Sequence, residues 1–137
     1  MISNDDHYMM IMALMAESRF HQHWSDEDID HFIDTPIQLN QYVIGLDRSD
    51  EAMFFATFAR PEHHHLEKYI TENKFPKEGY YGDGENIWII DFMCKPGVKN
   101  IARSFRTIKY LLSSMGEKRC LWLRSETGKV GWHELKE

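Results

Sequence analysis

The sequence predicts a mixed α/β domain of one layer of strands covered by helices. Three observations predict it. Residues 87–93 read as a strand buried on both faces, two earlier strand-like runs form a hairpin, and helical patterns with apolar faces alternate with these strands. The stretch Ile87-Trp88-Ile89-Ile90-Asp91-Phe92-Met93 is apolar, β-branched and aromatic, with Gly82, Asp83 and Gly84 before it and Pro96-Gly97 after it. Apolar residues of both parities imply burial on both faces. Asp91 lies in the middle of this run. A buried carboxylate costs several kcal/mol, on an order-of-magnitude scale, unless it is paired. Asp91 therefore needs a partner, either backbone N–H groups or an Arg in a structural role, or an imidazole that it orients for catalysis.

The chain has 137 residues, enough for one domain spanning 1–137. A hydrophobic content of 42% and an aromatic content of 13% fill a real core and exclude a disordered chain. Eight Met residues suggest adaptable packing or a forgiving apolar binding surface. Cys94 and Cys120 lie in apolar runs and read as a reduced pair. The first residues carry no basic leader, and no apolar run reaches the ~20 residues of a membrane span, so a cytoplasmic protein is expected. Residues 95–137 hold ten Lys/Arg against four Glu, a charge of +6 on a chain whose total is −6, which leaves −12 on the rest. A basic C-terminal third on an acidic protein suits an acidic partner at one face, or is a solvated basic helix.

The elements follow in order. Ser3 or Asn4 can cap a first helix with Asp5 and Asp6 in its first turn. From Tyr8 to Ala16 this helix is apolar almost all round, so it is a core helix, a dimer contact or an acyl-chain surface. Residues 17–24 form a connection, and Ser25 with Asp28 gives a capping box for a second helix bearing Ile29, Phe32 and Ile33, which Pro36 should end. Residues 40–46 and 53–59 are the hairpin strands around an Asp47-Arg48-Ser49-Asp50 turn. Pro61 opens a helix with Leu66, Tyr69 and Ile70, and Phe75 to Asn86 reads as a polar loop before the central strand. Val98 to Ser114 is an amphipathic helix, with Ile101, Phe105, Ile108, Leu111 and Leu112 opposite Lys95, Lys99, Arg103, Arg106 and Lys109, and Gly116 ends it. Arg119–Leu123 and Lys129–Leu135 close the chain as strands joined by a Glu126-Thr127-Gly128 turn.

Four motifs now stand in order. Ser18-Arg19-Phe20-His21-Gln22-His23-Trp24 resembles the S-x-x-H-x-x-W signature of the RTX toxin-activating lysine acyltransferases. Asn40-Gln41-Tyr42 matches their N-Q-Y, Trp88-Ile89-Ile90-Asp91-Phe92 their W-x-I-D-W/F, and Gly128-Lys129-Val130 their G-K-V. The resemblance covers nearly the whole chain. It implies a GNAT-like acyltransferase fold, with a mixed, mostly antiparallel sheet flanked by helices. It implies transfer of a fatty acyl group from acyl carrier protein to internal lysines of a protoxin, and it places the catalytic His, Asp and Ser on His21, Asp91 and Ser18. Two departures stand out. The family's Asn a dozen residues after the His is missing from His31-Phe32-Ile33-Asp34, and the C-terminal extension of the toxin activators is absent, which leaves room for a non-toxin acceptor.

The chemistry suits these residues independently of the resemblance. A lysine with a pKa near 10.4 is neutral about once in 10³–10⁴ at pH 7, so acylation needs a base. A histidine accepts a proton at neutral pH, and a carboxylate on its far nitrogen fixes the tautomer and favours the imidazolium. The histidine could instead carry the acyl group itself. Backbone N–H groups of the central strand, or Ser18, are candidate donors to the oxyanion. The junction Cys94-Lys95-Pro96-Gly97-Val98-Lys99-Asn100 holds one Gly and a Pro without an N–H, a poor cradle for the pyrophosphate of a CoA donor. The cations Lys95, Lys99, Arg103 and Arg106 stand there instead, suited to acidic acyl carrier protein with its phosphopantetheine arm. Eight histidines, among them His63-His64-His65, raise a metal site, but adjacent helical residues point apart and no metal is expected. The net charge of −6 argues against nucleic acid. The alternative function is a non-catalytic GNAT-like binding protein.

Overall fold

The structure, a computed structural model, describes residues 4–124 and 128–135. Among these residues five strands form one sheet in chain order: β1 (Tyr42–Leu46), β2 (Ala52–Ala59), β3 (Ile87–Cys94), β4 (Arg119–Arg124) and β5 (Lys129–Glu134). Neighbours are antiparallel except β3 and β4. A parallel pair needs a long crossover, and helix α5 (Val98–Ser114) supplies it. The mixed, mostly antiparallel sheet expected from the sequence is therefore present.

Helix α1 (Asn4–Glu17) lies on β2 and β3, with Ile11 and Leu14 buried against Phe55 and Met93. Its apolar circumference is not all covered, since Met9 is 72% exposed. The expected cap at Ser3 lies outside the described residues, as does the side chain of Asn4. On the opposite sheet face, α5 packs Ile108 and Leu112 onto Phe54, Ala56, Ile87 and Ile89. Helix α4 (His63–Glu72) helps close a third cluster, in which Tyr69, Phe75 and Tyr80 surround Trp88.

Two sequence expectations need correction. Helix α2 (Asp26–Ile29) starts on the expected capping box, with Ser25 Oγ accepting from the Asp28 N–H and Asp28 Oδ2 from the Ser25 N–H, each at 3.1 Å. The helix does not end at Pro36. It widens into a π-helical turn over Asp30–Asp34, where the Thr35 N–H reaches back five residues to the Asp30 carbonyl, and it resumes as α3 (Thr35–Gln38). Thr35 Oγ1 donates to the same carbonyl at 2.9 Å. The wider turn sets Pro36 in the opening turn of a fresh α segment, where a missing N–H costs little. Asn40, at φ 57°, then ends the helix.

The second correction concerns Phe75–Asn86. This segment is not simply a polar loop, because Lys77–Tyr81 form a 3₁₀ helix that buries Phe75 and Tyr80. Polar residues dominate its composition, while two aromatic anchors determine its packing. The turn between β4 and β5 includes Glu126 and Thr127, which lie outside the described residues, whereas Gly128 adopts φ +68°. Cys94 and Cys120 are free thiols.

Candidate active site

His21 belongs to the connection between α1 and α2, which is held by short-range backbone bonds. The Ser18 N–H donates to Met15 O at 3.1 Å, the His21 N–H to Ser18 O at 3.2 Å and the Trp24 N–H to His21 O at 3.1 Å. These successive turns bring the side chains of residues 18, 21 and 24 together. Ser18 Oγ lies 2.5 Å from His21 Nδ1, and the Trp24 ring meets the imidazole edge to face at 4.6 Å. Both Ser18 and His21 are buried.

Asp91 is aimed at this histidine by an irregularity in β3. Thr57 pairs with Asp91 and Phe58 with Ile89, so Ile90 has no counterpart on β2. Such a bulge flips the side-chain alternation and re-aims its neighbours. Asp91 consequently shares the α1 side of the sheet with Thr57. Its Oδ1 lies 3.0 Å from His21 Nε2, while Oδ2 is buried without a hydrogen-bond partner among the described residues. With Asp91 as acceptor, Nε2 carries the ring proton. Nδ1 of neutral His21 is then the basic nitrogen and accepts from the Ser18 hydroxyl.

The strands next to the pair part. β3 and β4 are bonded only at Ile87–Cys120, Trp88–Leu121 and Ile89–Trp122, although β3 continues to Cys94 and β4 to Arg124. A cleft of about 730 Å³ opens where they separate. His21, Asp91 and Trp24 line it from the α1 side, Phe92 and Phe105 from the α5 side, and Trp122 and Arg124 from β4. The parting of the strands thus connects both faces of the sheet. Trp122 is held flat by Gly131 opposite it, where a Cβ would lie 2.4 Å from the indole. A third residue on the α4 side feels the pair: burial, helped by the Asp91 charge, pushes the Tyr69 hydroxyl up to about 12.

The remaining expected residues are distributed as follows. Lys99, Arg103 and Arg106 are exposed on α5. Lys95 is engaged instead, since its Nζ donates to Asp47 Oδ2 at 2.8 Å and Glu51 Oε2 at 2.9 Å. The segment His31–Asp34, which lacks the family's Asn, backs the site through Phe32, whose ring packs on Trp24 at 5.3 Å. Among the described residues no three His, Cys, Asp or Glu side chains are grouped to hold a metal ion, and no helix is long and apolar enough to cross a membrane. Sequence reasoning missed the α5 and β4 contribution to the cleft. Phe105 reads only as part of the apolar face of α5 and Trp122 only as a position in a closing strand, and nothing local marks where two strands separate.

A mixed sheet between helices, opened into an apolar cleft beside an imidazole and a carboxylate, is consistent with a GNAT-like acyltransferase. The family model of the RTX toxin acyltransferases matches residues 4–129, so the chain belongs to the RTX toxin acyltransferase family. No individual curated protein matches the chain closely enough to count as a relative.

Proposed function

We propose that this acyltransferase moves a fatty acyl group from acyl carrier protein to the ε-amine of a lysine in a protoxin-like acceptor protein. The observation that carries the reading is the 3.0 Å contact between His21 and Asp91 at the wall of an apolar cleft. An acyl chain is apolar and its carbonyl must meet a base, and the cleft offers both.

The reaction proceeds by attack of the lysine nitrogen on the thioester carbonyl. The nitrogen proton passes through the Ser18 hydroxyl to Nδ1 of His21, and Asp91 balances the imidazolium. The C–S bond breaks, and the leaving thiolate takes the proton back. Ser18 Oγ is assigned to this relay rather than to nucleophilic attack because it stands on the basic nitrogen of His21.

The donor enters from the α5 side. Exposed Lys99, Arg103 and Arg106 suit the acidic surface of a carrier protein. The turn before α5 holds one Gly, at φ +120°, and a Pro, and Asn100 Nδ2 is spent on Pro96 O at 2.8 Å, a weak basis for gripping the pyrophosphate of CoA.

The test offers acyl carrier protein and acyl-CoA thioesters of one chain length separately, with a lysine-bearing acceptor. Faster consumption of the carrier thioester, with an amide that survives hydroxylamine, is expected. Equal or faster use of the CoA thioester would contradict the donor assignment, and an ester in place of the amide would contradict the acceptor assignment.

A further inference from the structure

A second groove, of about 400 Å³, lies between α5 and β5. Arg106, Lys109 and Tyr110 reach it from α5, where residues three and four apart share one side of a helix. His133 and Leu135 reach it from the end of the chain. His133 is the cross-strand partner of Cys120, and Cys120 packs with Ile108 and Leu112 of α5. Cross-strand partners leave the sheet on one face, so His133 points to the α5 side. Register and helical spacing thus bring three nitrogen-bearing side chains to one groove. No Asp or Glu among the described residues lines it. Arg60, Lys77, Lys95 and Arg119 each pair with a carboxylate, whereas among the described residues Arg106, Lys109 and His133 have none within ion-pair distance. On a chain with a net charge of −6, this is a cationic groove without its own counter-charge. Cations gathered in one place repel each other, and an anion between them reverses the sign of that energy.

We infer that the groove between α5 and β5 is a binding site for a phosphate monoester. Such a group carries nearly two negative charges and three acceptor oxygens. The guanidinium fork of Arg106, the ammonium of Lys109 and a ring N–H of His133 can each take one of them. A carboxylate, with one charge and two oxygens, would leave a donor of the trio idle. The Tyr110 ring, 71% exposed, and Leu135 give the groove an apolar wall for the organic body of the ligand. Ser114 Oγ donates to the Tyr110 carbonyl at 2.9 Å and so stays turned to its own helix. Arg106 also belongs to the exposed cations assigned above to carrier docking. A phosphate held in the groove neutralises that end of the docking surface and competes with the carrier protein. This competition rests on the acyltransferase reading, whereas the binding site does not.

The test is calorimetric titration of the full chain with phenyl phosphate, and with benzoate as the carboxylate of similar body, at constant ionic strength. Phenyl phosphate is expected to bind one to one and benzoate at least about tenfold more weakly. Lys109→Gln and His133→Gln should each weaken phenyl phosphate about tenfold with Tm unchanged. Lys109→Arg, which keeps the charge, and Lys68→Gln, which removes an exposed cation of α4, should bind as wild type. Equal affinity in Lys109→Gln, His133→Gln and wild type, or an equal loss in Lys68→Gln, would overturn the site, and benzoate binding as tightly as phenyl phosphate would overturn the ligand class. In acyl transfer, phenyl phosphate should raise the KM for the carrier thioester in the wild type and not in the Lys109→Gln, His133→Gln double variant. A KM unmoved at saturating phenyl phosphate would overturn the competition. Should the wild type transfer no acyl group, saturable binding lost in the groove variants still supports the site and counts only against the acyltransferase reading.

Discussion

His21 and Asp91 stand 70 residues apart in the chain, and their side chains meet at 3.0 Å. The contact brings together a helix-to-helix connection and the strand at the middle of the sheet. Substitutions at either end should therefore affect rate and stability differently. Asp91→Asn keeps an acceptor for the Nε2 proton but removes the charge. It should lower the transfer rate about 10²–10⁴-fold at nearly unchanged KM. Asp91→Ala also leaves the His21 N–H unsatisfied and should cost a further ~1–3 kcal/mol of stability, read by denaturant unfolding.

Ser18 supplies a second separation. Ser18→Ala removes the donor from Nδ1 without touching the Nε2 contact. Transfer should fall roughly 10–100-fold, and intact mass spectrometry during turnover should show no acylated enzyme in wild type or variant. An acyl group trapped on Ser18 would reverse the assignment of relay and nucleophile.

The four cations expected at the donor face divide into two kinds. Lys95 ties the β1–β2 turn to the end of β3 through Asp47 and Glu51, so Lys95→Gln should lower Tm and leave the KM for the carrier thioester unchanged. Reversing Lys99 and Arg103 to Glu should leave Tm unchanged and raise that KM severalfold, more so at low salt. The Lys95 tie also has a pH signature. The hydrogen bond from Lys95 holds the Asp47 carboxyl below its ordinary value. A depressed carboxylate stabilises the fold above its unfolded value, and that stabilisation is lost as pH falls through the folded one. The Tm difference between wild type and Lys95→Gln should thus be present at neutral pH and close as the carboxylate range is crossed.

Gly131 controls the cleft wall through Trp122. A methyl group there would meet the indole at 2.4 Å. Gly131→Ala should push Trp122 into the cleft and impair long acyl donors more than short ones, seen as a drop of about tenfold or more in the long-to-short ratio of kcat/KM. An unchanged ratio would show that the indole does not border the acyl chain.

Much of this fold could be read from local pattern. The Ser25–Asp28 capping box, the hairpin, the apolar stripe of α5 and the doubly buried β3 each carry their signal within a few residues. Asp91 drew attention for the same reason, as a charge among apolar neighbours. The π turn before Pro36 could not be read, because its cause is a backbone bond from Thr35 to Asp30 that composition does not encode. The cleft escaped as well. It exists because β3 and β4 stop pairing after Ile89 and Trp122, a register property shared between distant segments. Tyr80 was lost in a polar stretch whose one aromatic anchor after Phe75 turned out to be core.

The most direct measurement is the mass of lysine-bearing peptides from an acceptor incubated with acylated carrier protein and either wild-type enzyme or His21→Ala. The proposed mechanism predicts acyl-lysine peptides with the wild type, a yield at least about 10²-fold lower with His21→Ala, and an unchanged circular dichroism spectrum for that variant. Equal acylation by a well-folded His21→Ala protein would contradict it.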